Sequence, residues 1–262
     1  MDILGYKEQI KKSSKNVDTY LKTIKNAVND VKVSTIGEPL FNMPSPKVRI
    51  FSDNILIYVP VPHGMKYGTL VQIDRIITIA GIIKMTFMIS HNLLVRGSLV
   101  MDKFYADDDL IFGPAIVKAY DLEQEAKYPR IVVSNEIFEI VQQIIAKNEH
   151  CHDYGYAIAE DFDGKRYCVN ILKQLVDRGA IEQHIPKNRY MLWIKEEKRA
   201  IEKIVSEYYN QKDKAYFDGG IFEKYLWILK DHNLISSDEP ENKINYAIKH
   251  NENLCLIIEI IR

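Results

Sequence analysis

The sequence predicts an α/β (α+β) fold, with mixed strands and helices over residues 1–163 and a mostly helical region over 164–262. Three observations predict it. Short apolar runs that read as strands alternate with helical stretches as far as about residue 160, the pattern of a sheet with helices layered on it. Residues 47–58, K-V-R-I-F-S-D-N-I-L-I-Y, read as a buried β-hairpin folded about Ser52-Asp53-Asn54, residue types suited to a tight turn. Beyond residue 164 the pattern changes to successive helices at 165–178, 190–211 and 222–233, with late strands at 243–248 and 254–261 that close the domain.

Taken in order, Ile10, Val17, Leu21, Ile24, Val28 and Val31 fall mostly three or four apart, one stripe of an amphipathic helix over 6–31. Its first turns carry Lys7, Lys11, Lys12 and Lys15, which form either a solvated face or a group of cations near a phosphate at the helix start. Residues 37–46 are a turn-rich connection into the hairpin. A helix over 67–90 follows. Its apolar run, 76–89, contains Lys84 and falls short of the roughly twenty residues of a bilayer span, so it reads as a core helix. A strand over 93–101 leads to Ala106-Asp107-Asp108-Asp109, an exposed turn with cation binding as the alternative. Residues 110–112 are a short strand. Gly113-Pro114 opens a helix with proline at its first position, where the missing N–H costs nothing, and Pro129 stops it after about Lys127. Residues 130–133 are a buried strand, Ser134 caps a helix over 137–147, and 154–160 is a strand followed by the D-F-D-G turn.

Composition excludes more than it assigns. The 262 residues, 47% hydrophobic and 27% charged, suffice for one domain with an extension or for two small domains. Lys and Arg number 35 against 36 Asp and Glu, so there is no basic excess of the kind that non-specific nucleic-acid binding needs. Cys151, Cys168 and Cys255 form no C-x-x-C pair, and no secretory signal or membrane span is evident, so a cytoplasmic location is expected. Cys151-His152 has no second pair at ligand spacing and reads as a helix-end loop. Trp193 and Trp227 read as core residues.

The chemistry is carried by two acids. Asp53 sits within the apolar hairpin, and Asp2 opens the chain in M-D-I-L-G-Y-K. An acid among apolar strand residues costs several kcal/mol, roughly, unless a cation or hydrogen bonds compensate it. Two such acids on adjacent strands suggest a shared cation, as in palm-like nucleotide enzymes whose metal ions bind a triphosphate. Alternation places Arg49 on the face of Asp53, about 13 Å away at the strand rise of a regular sheet. That span suits a metal-bound triphosphate at one end and a base at the other.

The order M-D-I-L-G-Y-K, V-R-I-F-S-D-N-I, V-R-G-S-L and F-G-P-A-I-V-K-A-Y-D-L-E-Q-E-A-K-Y-P-R-I-V-V-S resembles the catalytic domain of class III nucleotide cyclases. It is most similar to the bacterial pyrimidine cyclases of Pycsar anti-phage systems. D-F-D-G-K-R-Y-C-V-N-I-L and K-Y-L-W-I-L-K-D-H-N extend the likeness into the C-terminal part. The resemblance implies a palm-like catalytic domain over 1–163. It also implies cyclisation of UTP or CTP to the 3′,5′-cyclic monophosphate, read by a downstream cyclic-nucleotide effector protein. By position, Asp2, the Ile3 carbonyl and Asp53 would hold two divalent ions, Mg or Mn, while the amides of Leu4, Gly5 and Tyr6 meet the phosphates. Only Met1 precedes Asp2, so the strand that should present it is nearly absent, and the true start is expected upstream. Class III cyclases work as head-to-tail dimers, which implies a homodimer with active sites at the interface.

The departures from purine cyclases are informative. The purine-reading lysine is replaced by Arg49, and its acidic partner by Leu110, although Asp109 is adjacent. Arg49 is either a strand-edge surface residue or a contact to base or phosphate. The asparagine and arginine that stabilise the transition state correspond to Val117 and Asp121, neither of which can offset phosphate charge. A catalytic cation must then come from Arg96, Lys118 or Arg130, with Arg96, just before Gly97, the first choice.

Overall fold

Why this chain makes a sheet follows from its short apolar runs, which bury one face, and at Ile131–Val133 every residue, against the helices. The computed structural model describes residues 1–4, 44–51, 53–61, 66–107, 109–147, 157–161 and 163–168, with isolated positions between 18 and 29 and between 192 and 228. Two units divide the chain, Met1–Lys187 and Asn188–Arg262. In the first, β1 (Asp2–Ile3), β2 (Lys47–Phe51), β3 (Asn54–Tyr58), β4 (Val95–Leu99), β7 (Ile131–Val133), β8 (Ile158–Glu160) and β9 (Arg166–Cys168) form one sheet in the order β2-β3-β1-β4-β7-β9-β8. A separate ribbon pairs β5 (Tyr105–Ala106) with β6 (Ile111–Phe112). The helices are α1 (Lys66–His91), α2 (Pro114–Glu125) and α3 (Asn135–Ile145). Strands β4 and β7 are parallel and joined through α2; the other pairs are antiparallel. The sheet is therefore mixed and the unit α+β.

One face of the sheet is apolar. Ile3, Ile55 and Val95 pack with Ile79, Ile83 and Phe87 of α1, and Val48, Ile50 and Ile57 lie against them. Farther along, Leu70, Ile73 and Ile77 of α1 meet Ile131 and Val133 of β7 and Ile137, Val141 and Ile144 of α3. The run at 76–89 is thus a core helix, with even Lys84 buried. Alternation sends Arg49 and Phe51 of β2, Asn54 of β3, Asp2 of β1, and Arg96 and Ser98 of β4 to the opposite face. There α2 covers part of the sheet, with the Ser98 hydroxyl donating to the Ala119 carbonyl at 2.6 Å.

The helix ends follow local chemistry. Gly113 stands at φ 142° before Pro114, and a Cβ there would lie 2.6 Å from the Lys103 carbonyl, so only glycine fits. Ser134 accepts from the Ile137 amide at 3.4 Å and starts α3 at Asn135, two residues before the predicted position. Asn92, in the left-handed conformation at φ 54°, ends α1.

Several expectations are corrected. The hairpin, expected to be buried, is only partly so: among the described strands β2 stands at the end of the sheet, and Phe51 is 54% exposed. Arg166–Cys168, expected in a helix over 165–178, is instead β9, because the turn at 161–165 folds it back on β8 and its side chains alternate in and out of the core. Leu21, placed on an apolar stripe, is 47% exposed; the described positions between 18 and 29 are helical and all exposed. In the second unit every described residue is helical, and Ala200, Ile201, Trp227 and Ile228 are buried there. The late strands at 243–248 and 254–261, with Cys151, His152 and Cys255, lie outside the described residues. Among the described residues no helix is long and apolar enough to cross a membrane.

Candidate active site

Two residues suffice to make β1 because both of its edges are occupied. Asp2 pairs with Asn54 on one side and with Arg96 on the other. The Met1 carbonyl accepts from the Ile55 amide at 2.8 Å, and the amides of Ile3 and Leu4 donate to the carbonyls of Asp53 at 3.2 Å and Leu94 at 2.8 Å. The Met1 ammonium donates to the Ile55 carbonyl at 2.9 Å and lies 3.6 Å from the Glu123 carboxylate of α2. Gly97 lets Met1 lie against β4, since a Cβ there would come within 2.7 Å of the Met1 side chain.

This frame brings Asp2, Asp53 and Arg96 together. The Arg96 Nε donates to Asp2 Oδ2 at 3.2 Å, with the two side chains about a fifth exposed at 21% and 18%. The Asn54 side-chain Nδ2 donates to Asp53 Oδ1 at 3.3 Å. Burial pushes the Asp2 carboxyl above the usual carboxylate range; Arg96 opposes that rise, and the Asp53 carboxylate, within hydrogen-bonding reach, adds to it. Glu123 is also pushed up, by burial first, against the pull of the Met1 ammonium. Asp2 and Asp53 are therefore two close carboxylates offset by one arginine, a donor set of hard oxygens that suits Mg²⁺ or Mn²⁺ completed by phosphate and water oxygens. Among the described residues no three His, Cys, Asp or Glu side chains converge as a larger metal cluster.

The chain matches no protein-family model, no curated protein and no solved structure.

The other predicted residues divide. Arg49 lies on the site face of β2 and donates to the Asp107 carbonyl at 2.8 Å, so the β5–β6 ribbon reaches the hairpin. Leu110 of that ribbon's loop is exposed. The Asp107 carboxylate accepts from the Tyr105 hydroxyl and from the amides of Asp109 and Leu110, which closes a turn on its own side chain; Asp108 lies outside the described residues. Lys118 is exposed on α2 and bonded to Asp102 at 2.6 Å, with Glu136 at 3.7 Å. Arg130 is fully buried and held by Asp161 and Asp163 of the D-F-D-G turn, beneath the Tyr128 ring at 5.0 Å. Both cations are spoken for by carboxylates outside the acid pair. The Leu4 amide, expected to meet phosphate, is used by Leu94 in the sheet. Gly5 and Tyr6 lie outside the described residues. Val117 and Asp121 are on the exposed side of α2.

Sequence reasoning missed Asn54 and Glu123. Asn54 was visible as a turn residue beside Asp53, but its place next to Asp2 depends on register. Glu123 carried no local signal; only packing of α2 against the first strand brings it to the Met1 ammonium.

Proposed function

We propose that the chain is a nucleotide cyclase that converts UTP or CTP to the 3′,5′-cyclic monophosphate and pyrophosphate, an alarm signal for a cyclic-nucleotide effector in anti-phage defence. The observation that carries this reading is the meeting of Asp2, on β1, with Asp53, in the turn between β2 and β3, beside Arg96. Asp2, Asp53 and the Ile3 carbonyl are the residues to hold the divalent ions. When bound, such ions lower the pKa of the ribose 3′-hydroxyl and offset triphosphate charge. The 3′-oxygen attacks the α-phosphorus, the bond to the β-phosphate oxygen breaks, pyrophosphate leaves, and the hydroxyl proton passes to solvent. Arg96 is the cation we assign to the charge that develops at phosphorus, because Lys118 and Arg130 are engaged elsewhere. Arg49, with Leu110 where purine cyclases carry an acid, argues for a pyrimidine. The resemblance to class III cyclases supports a twofold homodimer with sites at the interface.

A second reading has its own support. Val117 and Asp121, at the family's transition-state positions, lie exposed on α2 and supply no cation. On that reading the chain binds a nucleotide without turning it over. Incubation with each of four nucleoside triphosphates and Mn²⁺ or Mg²⁺, beside Asp53→Ala, decides between them. A cyclic pyrimidine product that vanishes in the variant supports the cyclase, and binding without product supports the module. Faster cyclisation of ATP or GTP would overturn the pyrimidine assignment.

A further inference from the structure

We infer that Phe51 is the platform on which the heteroaromatic base of the bound nucleotide stacks, an inference that rests on the nucleotide reading of the same site. Phe51 pairs with Asn54, Asn54 with Asp2, and Asp2 with Arg96, so one row of side chains crosses four neighbouring strands. All four project from the face opposite α1, since the alternate residues Ile50, Ile55, Ile3 and Val95 pack on α1. Two strand spacings separate Phe51 from Asp2, about 10 Å, and Asp53 is nearer, two residues along the chain and at most about 7.6 Å away between Cα atoms, so a nucleotide with its phosphates at the Asp2 end of the row has Phe51 within reach of its base.

The surroundings of Phe51 fit a ring. It is 54% exposed, on a strand that stands at the end of the sheet among the described strands. Arg49 stands two residues earlier on the same face, its guanidinium positioned by the Asp107 carbonyl at 2.8 Å. A benzyl face beside a planar, multiply donating cation meets a base on both of its recognition surfaces, the π-face and the polar edge. Stacking tolerates any base, whereas edge contacts discriminate. Phe51 therefore supplies affinity for nucleotides in general and leaves the choice of base to its neighbours.

The test uses the full chain with Mn²⁺ and three probes: UTP, CTP and inorganic tripolyphosphate, which has no base. Phe51→Ala is expected to weaken UTP and CTP binding about ten- to a hundredfold while leaving tripolyphosphate unchanged. Phe51→Trp is expected to restore affinity and to add indole fluorescence that UTP quenches and tripolyphosphate does not. Should Phe51→Ala unfold, the tryptophan signal decides alone. Unchanged UTP affinity in a folded Phe51→Ala, equal losses for UTP and tripolyphosphate, or a Phe51→Trp signal indifferent to UTP would overturn the stack while the nucleotide reading stands. A wild-type chain that binds no nucleoside triphosphate overturns both.

Discussion

Replacing Arg130 by methionine separates a structural role from a catalytic one. The guanidinium has no exposed surface and bridges Asp161 and Asp163, whose side chains are only 11% and 28% exposed. Removing one partner of a buried ion pair typically costs about 3–5 kcal/mol, because the charges left behind lose their compensation in a poorly solvated site. Here Nε already lacks a partner, so its loss leaves no acceptor orphaned, and the lower end of that range, about 3 kcal/mol, is expected. With a urea slope of about 2–3 kcal/mol/M, the midpoint falls by roughly 1–1.5 M, readable by far-ultraviolet circular dichroism at pH 7. The difference also has a pH signature. Burial pushes the Asp163 carboxyl up, but the Arg130 hydrogen bond and the Lys165 amide outweigh it and hold the group below its usual range. An acid depressed in the folded state contributes stability above its unfolded value, about 3.9, and loses it as pH falls through the folded one. The gap between wild type and variant should accordingly narrow below about pH 4. A midpoint within about 0.3 M of wild type would refute the structural assignment, and lost activity with unchanged stability would return Arg130 to the chemistry.

Two further outcomes follow from the titration behaviour of buried groups. Asp2 is raised by burial, with Asp53 adding to it against Arg96, so the folded state holds a proton that the unfolded state releases, and stability falls as pH rises from the ordinary carboxylate value through the raised one. Urea melts across that window should show this decline; Mn²⁺ should reduce it, and Asp2→Asn should remove the Asp2 share and leave that of Glu123, which is raised as well. A decline unaffected by either would show that Asp2 is not its source. Burial pushes the Cys168 thiol up to about 12, so native protein at pH 8 should leave it unalkylated by iodoacetamide while urea-unfolded protein is modified, as peptide mass mapping would read. Rapid native alkylation of Cys168 would contradict the burial.

Much of the first unit was legible because its signals are local. The hairpin turn at Ser52-Asp53-Asn54, Gly113-Pro114 and the Ser134 cap each act through their own backbone, and the strands and helices they bound fall within a few residues of expectation. The failures are of another kind. Arg166–Cys168 reads as helix in isolation and becomes a strand because β7 and β8 offer it partners. Arg130, Lys118 and Arg96 are three cations of equal promise along the chain, yet two meet carboxylates remote in sequence and only Arg96 meets Asp2.

The sequence by itself determined which residues could do chemistry, Asp2 and Asp53 above all, since an acid within an apolar run announces an unpaid desolvation cost wherever the run ends up. It also determined, through Gly113-Pro114 and the Ser134 cap, where α2 and α3 begin. Only the tertiary structure decided that the two acids come together, that Arg96 joins them, and that Arg130 belongs to the core. Those outcomes depend on strand order and register, and a slip of one residue would send every side chain of a strand to the other face of the sheet.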